Sequence, residues 1–130
     1  MSTSDEKIAV ARRYLTLSNE HNLEEIFNLF EQDAQYESQT LSSGESKKFN
    51  GLHQIKEMMT KYFNETVPDV EWIIEKDFTI DSTLGKDNDA VVFDFRRHSK
   101  VNEQMNDKPG REWVCVNQQG KIYYIKVIPL

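Results

Sequence analysis

The chain has 130 residues, an apolar share of 38%, an aromatic share of 11% and a formal net charge of −6. That length suits one core rather than two, so a single domain over residues 1–130 is expected, and the aromatic content argues against disorder. The acidic balance excludes nucleic acid and anionic membrane surfaces as expected partners, and no stretch approaches the ~20 apolar residues of a bilayer span. The start, Met-Ser-Thr-Ser-Asp-Glu, carries no secretory pattern, and the single Cys115 allows no internal disulfide, so a cytoplasmic setting is expected.

Thr3 and Glu6 have capping-box spacing, and Ile8, Ala11, Leu15 and Ser18 then follow one helical face with Tyr14 beside it. Asn22 and Glu25 are spaced as a second cap, opening a short helix with Leu23, Ile26, Phe27 and Phe30 along one side. The period then becomes two: Ala34, Tyr36 and Ser38 alternate with Gln35, Glu37 and Gln39, predicting a strand. The polar run Thr40 to Asn50 reads as a loop. Gly51 precedes a third helical pattern, Leu52, Ile55, Met59, Tyr62 and Phe63, which must stop before Pro68. From Val70 to Asp81 a long strand places Trp72, Ile74, Phe78 and Ile80 on one side, with a bulge expected near Lys76. Gly85 to Asp89 is a turn, Ala90 to Lys100 is a strand, and Arg111–Asn117 with Lys121–Ile128 form a hairpin closed by Gln118-Gln119-Gly120. Helices first and antiparallel strands later predict an α+β fold with helices covering one face of a bent sheet.

One pattern points to a site. Val91, Phe93, Phe95 and Arg97 share one strand face, and Val116, Val114 and Glu112 share one face of a later strand. Paired around a turn at Asn106–Gly110, Phe93 is predicted opposite Val116, Phe95 opposite Val114, and Arg97 opposite Glu112. Two apolar rungs ended by an ionic one suggest a cavity with a charged end. The same pair also reads as an ordinary cross-strand ion pair, of little energetic weight if solvated.

The local strings Ala9-Val10-Ala11-Arg12-Arg13-Tyr14, Asn22 to Phe30, Asp33 to Ser38, Phe49 to Ile55 and Gly120-Lys121-Ile122, in this order, resemble the nuclear-transport-factor-2-like superfamily, in its SnoaL-like and ketosteroid-isomerase-like branch. The resemblance spans nearly the whole chain. It implies a cystatin-like cone: three N-terminal helices packed on a curved, mostly antiparallel sheet, enclosing a deep apolar pocket, with homodimers commonly formed through the outer sheet face. It is specific for fold and unspecific for function, because this fold hosts isomerases, dehydratases, cyclases, epoxide hydrolases and non-enzymatic binders. By resemblance, Tyr14 matches the tyrosine that donates to a developing oxyanion, and Glu112 falls where the steroid-isomerase pattern holds a protonated acid. The general-base position is occupied by Ser38, whose hydroxyl cannot hold a proton as a carboxylate does. Arg97 stands where that branch is usually apolar.

The expected catalytic set is therefore Tyr14, Glu112, Arg97 and Ser38, with Phe27, Phe30, Tyr36, Met59, Phe63, Phe93 and Phe95 forming the apolar ligand-binding body. Each aromatic reads equally as core. The opposite face of the Ala90 strand carries Val92, Asp94, Arg96 and His98; the Asp-x-Arg spacing resembles epoxide hydrolases of this fold, but parity puts it outside the cone. Trp113 and Cys115 share an outer face, which favours an interface. His21, His53 and His98 lack ligand spacing and the glycines form no phosphate loop, so neither a metal nor a cofactor is expected. Two functions stand open: binding of a small apolar carbonyl compound with acid–base isomerase, cyclase or lyase chemistry, or a non-enzymatic interaction module in which the cone is mere core. The sequence leaves open whether the chain is an enzyme.

Overall fold

A computed structural model describes residues 3–39, 45–66, 68–99 and 108–130. Helix α1 (Ser4–Asn19) begins at a capping box in which the Thr3 side chain accepts from the Glu6 amide and the Glu6 carboxylate accepts from the Thr3 amide. Helix α2 (Leu23–Phe27) is capped by Asn22, which accepts from the Glu25 amide, and leads directly into strand β1 (Phe30–Gln39). Strand β2 (Ser46–Asn50) pairs antiparallel with β1, so the second half of the run expected to be loop is strand; residues 40–44 lie outside the described residues. Its sequence, Ser-Lys-Lys-Phe-Asn, carries no β-branched residue, and its strand conformation comes from the β1 ladder rather than from local preference. Helix α3 (Leu52–Lys61) continues into one wider π-helical turn, Tyr62–Thr66, ahead of Pro68.

The remaining chain is strands β3 (Glu71–Asp81), β4 (Ala90–His98), β5 (Lys108–Val116) and β6 (Ile122–Pro129). They form one sheet in the order β2-β1-β6-β5-β4-β3, antiparallel throughout except where β1 runs parallel to β6. The architecture is α+β as expected. The register of β3 on β4 shifts twice, between Ile74 and Lys76 and again before Thr79, so two irregularities stand where one bulge was expected. Because two single-residue shifts restore parity, Trp72, Ile74, Phe78 and Ile80 still share the inner face. The β5–β6 hairpin turns on Gly120 at φ 79°, where an L side chain would be strained.

The predicted rung across β4 and β5 is corrected by the structure. Phe93 lies opposite Glu112, Phe95 opposite Gly110 and Arg97 opposite Lys108, four residues of β5 away from the expected pairing. The turn expected at Asn106–Gly110 is strand from Lys108 onward, where β5 begins; Asn106 and Asp107 lie outside the described residues. Gly110 is the residue that locks this register. A Cβ there would sit 2.4 Å from the Phe95 ring, so the ring of the fully buried Phe95 occupies the place of the missing side chain. An even shift keeps every side chain on its face, so Glu112 and Arg97 remain inward.

The helices cover the inner face. The buried set of α1 is Lys7, Ala11, Tyr14, Leu15, Leu17 and Ser18: Ala11, Tyr14, Leu15 and Ser18 are buried as expected, whereas Ile8 is only partly buried and Lys7 and Leu17 join the stripe. Lys7 is fully buried and ion-paired to Asp89 at 2.5 Å and Asp87 at 3.6 Å in the β3–β4 connection. Removing one partner of such a pair leaves a desolvated charge, but Asp89 and Asp87 retain 22% and 51% side-chain exposure and can rehydrate. Lys7→Met is therefore expected to destabilise by about 2 kcal/mol in urea unfolding, less than the cost of a fully enclosed pair, with part of the loss restored by adding Asp89→Asn. A loss below about 0.5 kcal/mol would show that the pair contributes nothing net.

The outer sheet face is partly covered by the same connection. Cys115 lies on the outer face as expected but is 1% exposed rather than open to an interface, because the chain at Gly85 packs on its Sγ and on the Tyr123 hydroxyl. Burial pushes the Cys115 thiol up to about 11. Trp113 is half-buried, donates to Asp81 at 2.9 Å and lies under the Lys126 ammonium. The acid–arginine rung that does exist across β4 and β5 is on this outer face: Arg111 forks onto both oxygens of Asp94 at 2.7 and 3.1 Å, and its hydrogen bond holds the Asp94 carboxyl below the ordinary range. Among the described residues no helix is long and apolar enough to cross a membrane.

Candidate functional site

A cavity of about 480 Å³ lies between α1, the α3 segment with its wide turn, and the inner sheet face. Its size is ordinary for a small-molecule site. Each wall follows from a local feature of the chain. From α1, Tyr14, Leu15 and Ser18 face inward at helical spacing, and the Ser18 hydroxyl donates back to the Tyr14 carbonyl at 2.8 Å. From α3 come Met58 and Met59. The π-helical turn then widens the path so that Tyr62 and Phe63 both reach the cavity.

The sheet contributes in rungs. Tyr36 on β1 pairs with Phe49 on β2, and Ser38 pairs with Lys47. Ser38 also neighbours Val127 on β6, which is opposite Glu112 on β5, itself opposite Phe93 on β4. Lys47, Ser38, Val127 and Glu112 thus form one row across the cavity wall. Two rungs further along, Arg97 on β4 faces Trp72 on β3. Trp72 is fixed by Asn19 at the end of α1, which donates to the Trp72 carbonyl at 3.0 Å and accepts from its amide at 2.8 Å. The Trp72 ring stacks on Tyr62 and meets Phe63 edge-on, with centroids 6.3 and 5.7 Å apart.

All four residues expected to be catalytic, Tyr14, Ser38, Arg97 and Glu112, border this cavity, as do Tyr36, Met59, Phe63 and Phe95 from the apolar set. Phe27, Phe30 and Phe93 do not. Phe30 packs edge-on against Tyr14 in the core, and Phe93 is sandwiched near Phe78 and Phe95. Phe27 is half-buried, with the Lys56 ammonium 5.7 Å from its ring. Sequence reasoning missed Tyr62, Trp72, Phe49 and the rim lysines Lys47 and Lys61 as members of the site. Tyr62 and Trp72 were visible as inward positions, but nothing local distinguishes an inward core residue from one that borders a void.

Glu112 is 4% exposed and is the acid of the site. Burial pushes its carboxyl up to about 8, against smaller opposing pulls from a Tyr14 hydrogen bond and the Arg97 charge. At neutral pH it is therefore predominantly a neutral carboxylic acid that can donate as well as accept. Burial and the nearby Glu112 charge hold both Tyr14 and Tyr36 well above the usual phenol range, so both stay protonated donors. The hydrogen-bonded order is Glu112 to Tyr14 to Tyr36.

Among the described residues, three buried polar atoms around the cavity have no hydrogen-bond partner of good geometry: Glu112 Oε2, Arg97 Nε and the Tyr62 hydroxyl. Tyr62 lies beside the Arg97 guanidinium, whose charge partly offsets the upward push of burial on the phenol. Buried groups of this kind normally find partners, because an unmade hydrogen bond costs about 1–3 kcal/mol. Together they mark a polar strip in an otherwise aromatic and aliphatic wall. Among the described residues no cluster of three or more His, Cys, Asp or Glu side chains is placed to hold a metal ion.

No protein-family model matches the chain, and no curated protein matches it. Solved structures do. A SnoaL-like protein of unknown function from Burkholderia thailandensis superposes with a TM-score of 0.72 at 14% identity, covering 100% of this chain and 99% of the other. A nuclear-transport-factor-2-like protein of unknown function from Mesorhizobium loti gives 0.74 at 14% identity, covering 100% and 95%. A phenazine biosynthesis-related protein from Pseudomonas aeruginosa gives 0.73 at 16% identity, covering 98% and 80%. The chain thus has the cystatin-like, nuclear-transport-factor-2-like fold that its sequence resembles, in the form shared by SnoaL-like proteins. At these identities the likeness is one of fold, and function rests on the site.

Proposed function

We propose that the cavity binds a small molecule with an apolar, ring-sized body and a carbonyl oxygen, and that Glu112 and Tyr14 act on that oxygen as paired hydrogen-bond donors. The observation that carries this reading is Glu112 Oε2, a buried carboxyl atom at the cavity wall without a hydrogen-bond partner among the described residues. A neutral acid beside a protonated phenol is the arrangement that stabilises negative charge developing on a carbonyl oxygen. Ser38, two strands from Glu112 in the same row, orients the ligand or a water molecule; its hydroxyl is no base at neutral pH. Tyr36, Met59, Phe63 and Phe95 supply the apolar contacts. Proton transfer at the ligand, giving isomerase, cyclase or lyase chemistry, would then run through Glu112, which is poised to release and regain a proton near neutral pH.

Calorimetric titration with 2-acetonaphthone and with naphthalene checks this. The ketone is expected to bind about fivefold to tenfold tighter than naphthalene, and Glu112→Leu or Tyr14→Phe to erase that difference while leaving naphthalene binding unchanged. Equal binding of the two compounds would remove the carbonyl role. If neither compound enters, the cavity is a packing void, and the rival reading takes its place: an interaction module whose contact face, in a homodimer or with another protein, is the outer sheet around Trp113.

A further inference from the structure

The charges around the cavity run against those of the chain. The protein carries a net charge of −6, yet among the described residues the cavity is bordered by three cations, Lys47, Lys61 and Arg97, and by one carboxyl, Glu112. The two lysines are exposed at the rim, while the arginine is partly buried and its Nε makes no hydrogen bond. The Tyr62 hydroxyl lies against the same guanidinium, from which it can accept, and its own proton has no acceptor among the described residues. Opposite Arg97 across β4 and β5 is Lys108, so its strand neighbour offers no carboxylate. The guanidinium is thus aimed into an aromatic cavity with donors left over, and the rim above it attracts anions.

These groups lie apart from the Glu112–Tyr14 end. Arg97 is four residues beyond Phe93, the strand partner of Glu112, which places the two backbone positions about 13 Å apart along the sheet. The polar strip therefore has two parts with different demands, near enough for the Arg97 charge to act on Glu112: hydrogen-bond donation to a neutral oxygen at one, and charge neutralisation at the other. Phe95 lies between Phe93 and Arg97 on the same strand face, and Trp72, Phe63 and Met59 also line the cavity.

We propose that the ligand is a carboxylic acid, with its carboxylate held by Arg97 and the Tyr62 hydroxyl and its carbonyl or enol oxygen at Glu112 and Tyr14. This deepens the carbonyl-binding reading and rests on it for the second contact only. A planar carboxylate matches the fork of one guanidinium, and it accepts the phenol proton that has no other acceptor. Lys47 and Lys61 draw the anion to the mouth without needing to touch it when bound. A compound fixed at both ends presents one orientation to Glu112, which an apolar ketone alone does not.

The test compares 6-acetyl-2-naphthoate, whose carboxylate and ketone sit on different rings, with its methyl ester by calorimetric titration at neutral pH, on the wild type, Arg97→Met and Tyr62→Phe. The free acid is expected to bind the wild type at least about tenfold tighter than the ester. Arg97→Met should remove that advantage, weakening the acid about tenfold and the ester by no more than about twofold. Tyr62→Phe should weaken the acid alone by a smaller factor. Equal binding of acid and ester to the wild type, or an Arg97→Met loss shared by both, overturns the carboxylate subsite while leaving the cavity reading intact. If neither compound binds, both fall together.

Discussion

Between pH 5 and 8.5 the stability of the wild-type chain is expected to fall by about 4 kcal/mol, and the Glu112→Gln variant is expected not to follow it. The Glu112 carboxyl ionises near the ordinary glutamate value of 4.5 when unfolded and at about 8 when folded. Between those values the native state holds one more proton than the unfolded state, so stability declines as pH rises. The contribution of the neutral acid is fully present below the unfolded value and is lost as pH climbs through the folded one. Other shifted groups leave this window clear. Asp81 and Asp94 are depressed, so their contribution is present above the unfolded carboxylate value and lost only as pH falls below it. Cys115, Tyr123 and Tyr124 are raised to about 11, 12 and 12, and their effects begin in the alkaline range. Gln keeps an acceptor for Tyr14 and cannot ionise. Urea unfolding at a series of pH values reads the difference, and parallel profiles for the two proteins would mean that Glu112 is not held neutral by the fold.

Gly110→Ala should be strongly destabilising. The new Cβ would lie 2.4 Å from one Phe95 ring carbon and 2.9 Å from another. Phe95 is 1% exposed and packs near Phe93, so its ring can give way only toward the cavity it borders, at the expense of its core contacts. Overpacking of this kind costs about 3 kcal/mol. Phe95 also borders the cavity, so the displaced ring would intrude on the ligand space and weaken binding. Gly110→Ala with Phe95→Leu should recover part of the stability because the smaller side chain vacates the clash. A loss below about 0.5 kcal/mol in urea unfolding of the single variant would show that the glycine does not fix the register.

How far the site could be read from the chain is clearest at Glu112 and Gly110. Alternation alone placed Glu112 and Arg97 inward, because a strand's parity survives any even slip. Their relative position did not follow, because register depends on which residue tolerates a ring on top of it, and the turn expected at Asn106–Gly110 is strand from Lys108 onward. Helix caps at Thr3 and Asn22 and the Gly120 hairpin were legible because each is a local hydrogen-bond or dihedral requirement. Strand β2 was not, since Lys47 and Phe49 become a cavity wall only through pairing with Ser38 and Tyr36. The buried Lys7 was equally invisible, because its partners Asp87 and Asp89 are some eighty residues away. The ionic rung expected on the inner face exists only on the outer one, as Asp94 with Arg111. Glu112 instead stands among phenols and hydrocarbon, and that environment rather than an arginine partner sets its protonation.

The most direct test is therefore the titration of that one carboxyl. In protein carrying 13C-labelled glutamate, the side-chain carboxyl resonance that vanishes in Glu112→Gln should shift with a midpoint near the value of about 8 set by burial. A midpoint near 4.5, the ordinary value for a glutamate, would contradict a buried neutral acid and remove the chemistry assigned to the cavity.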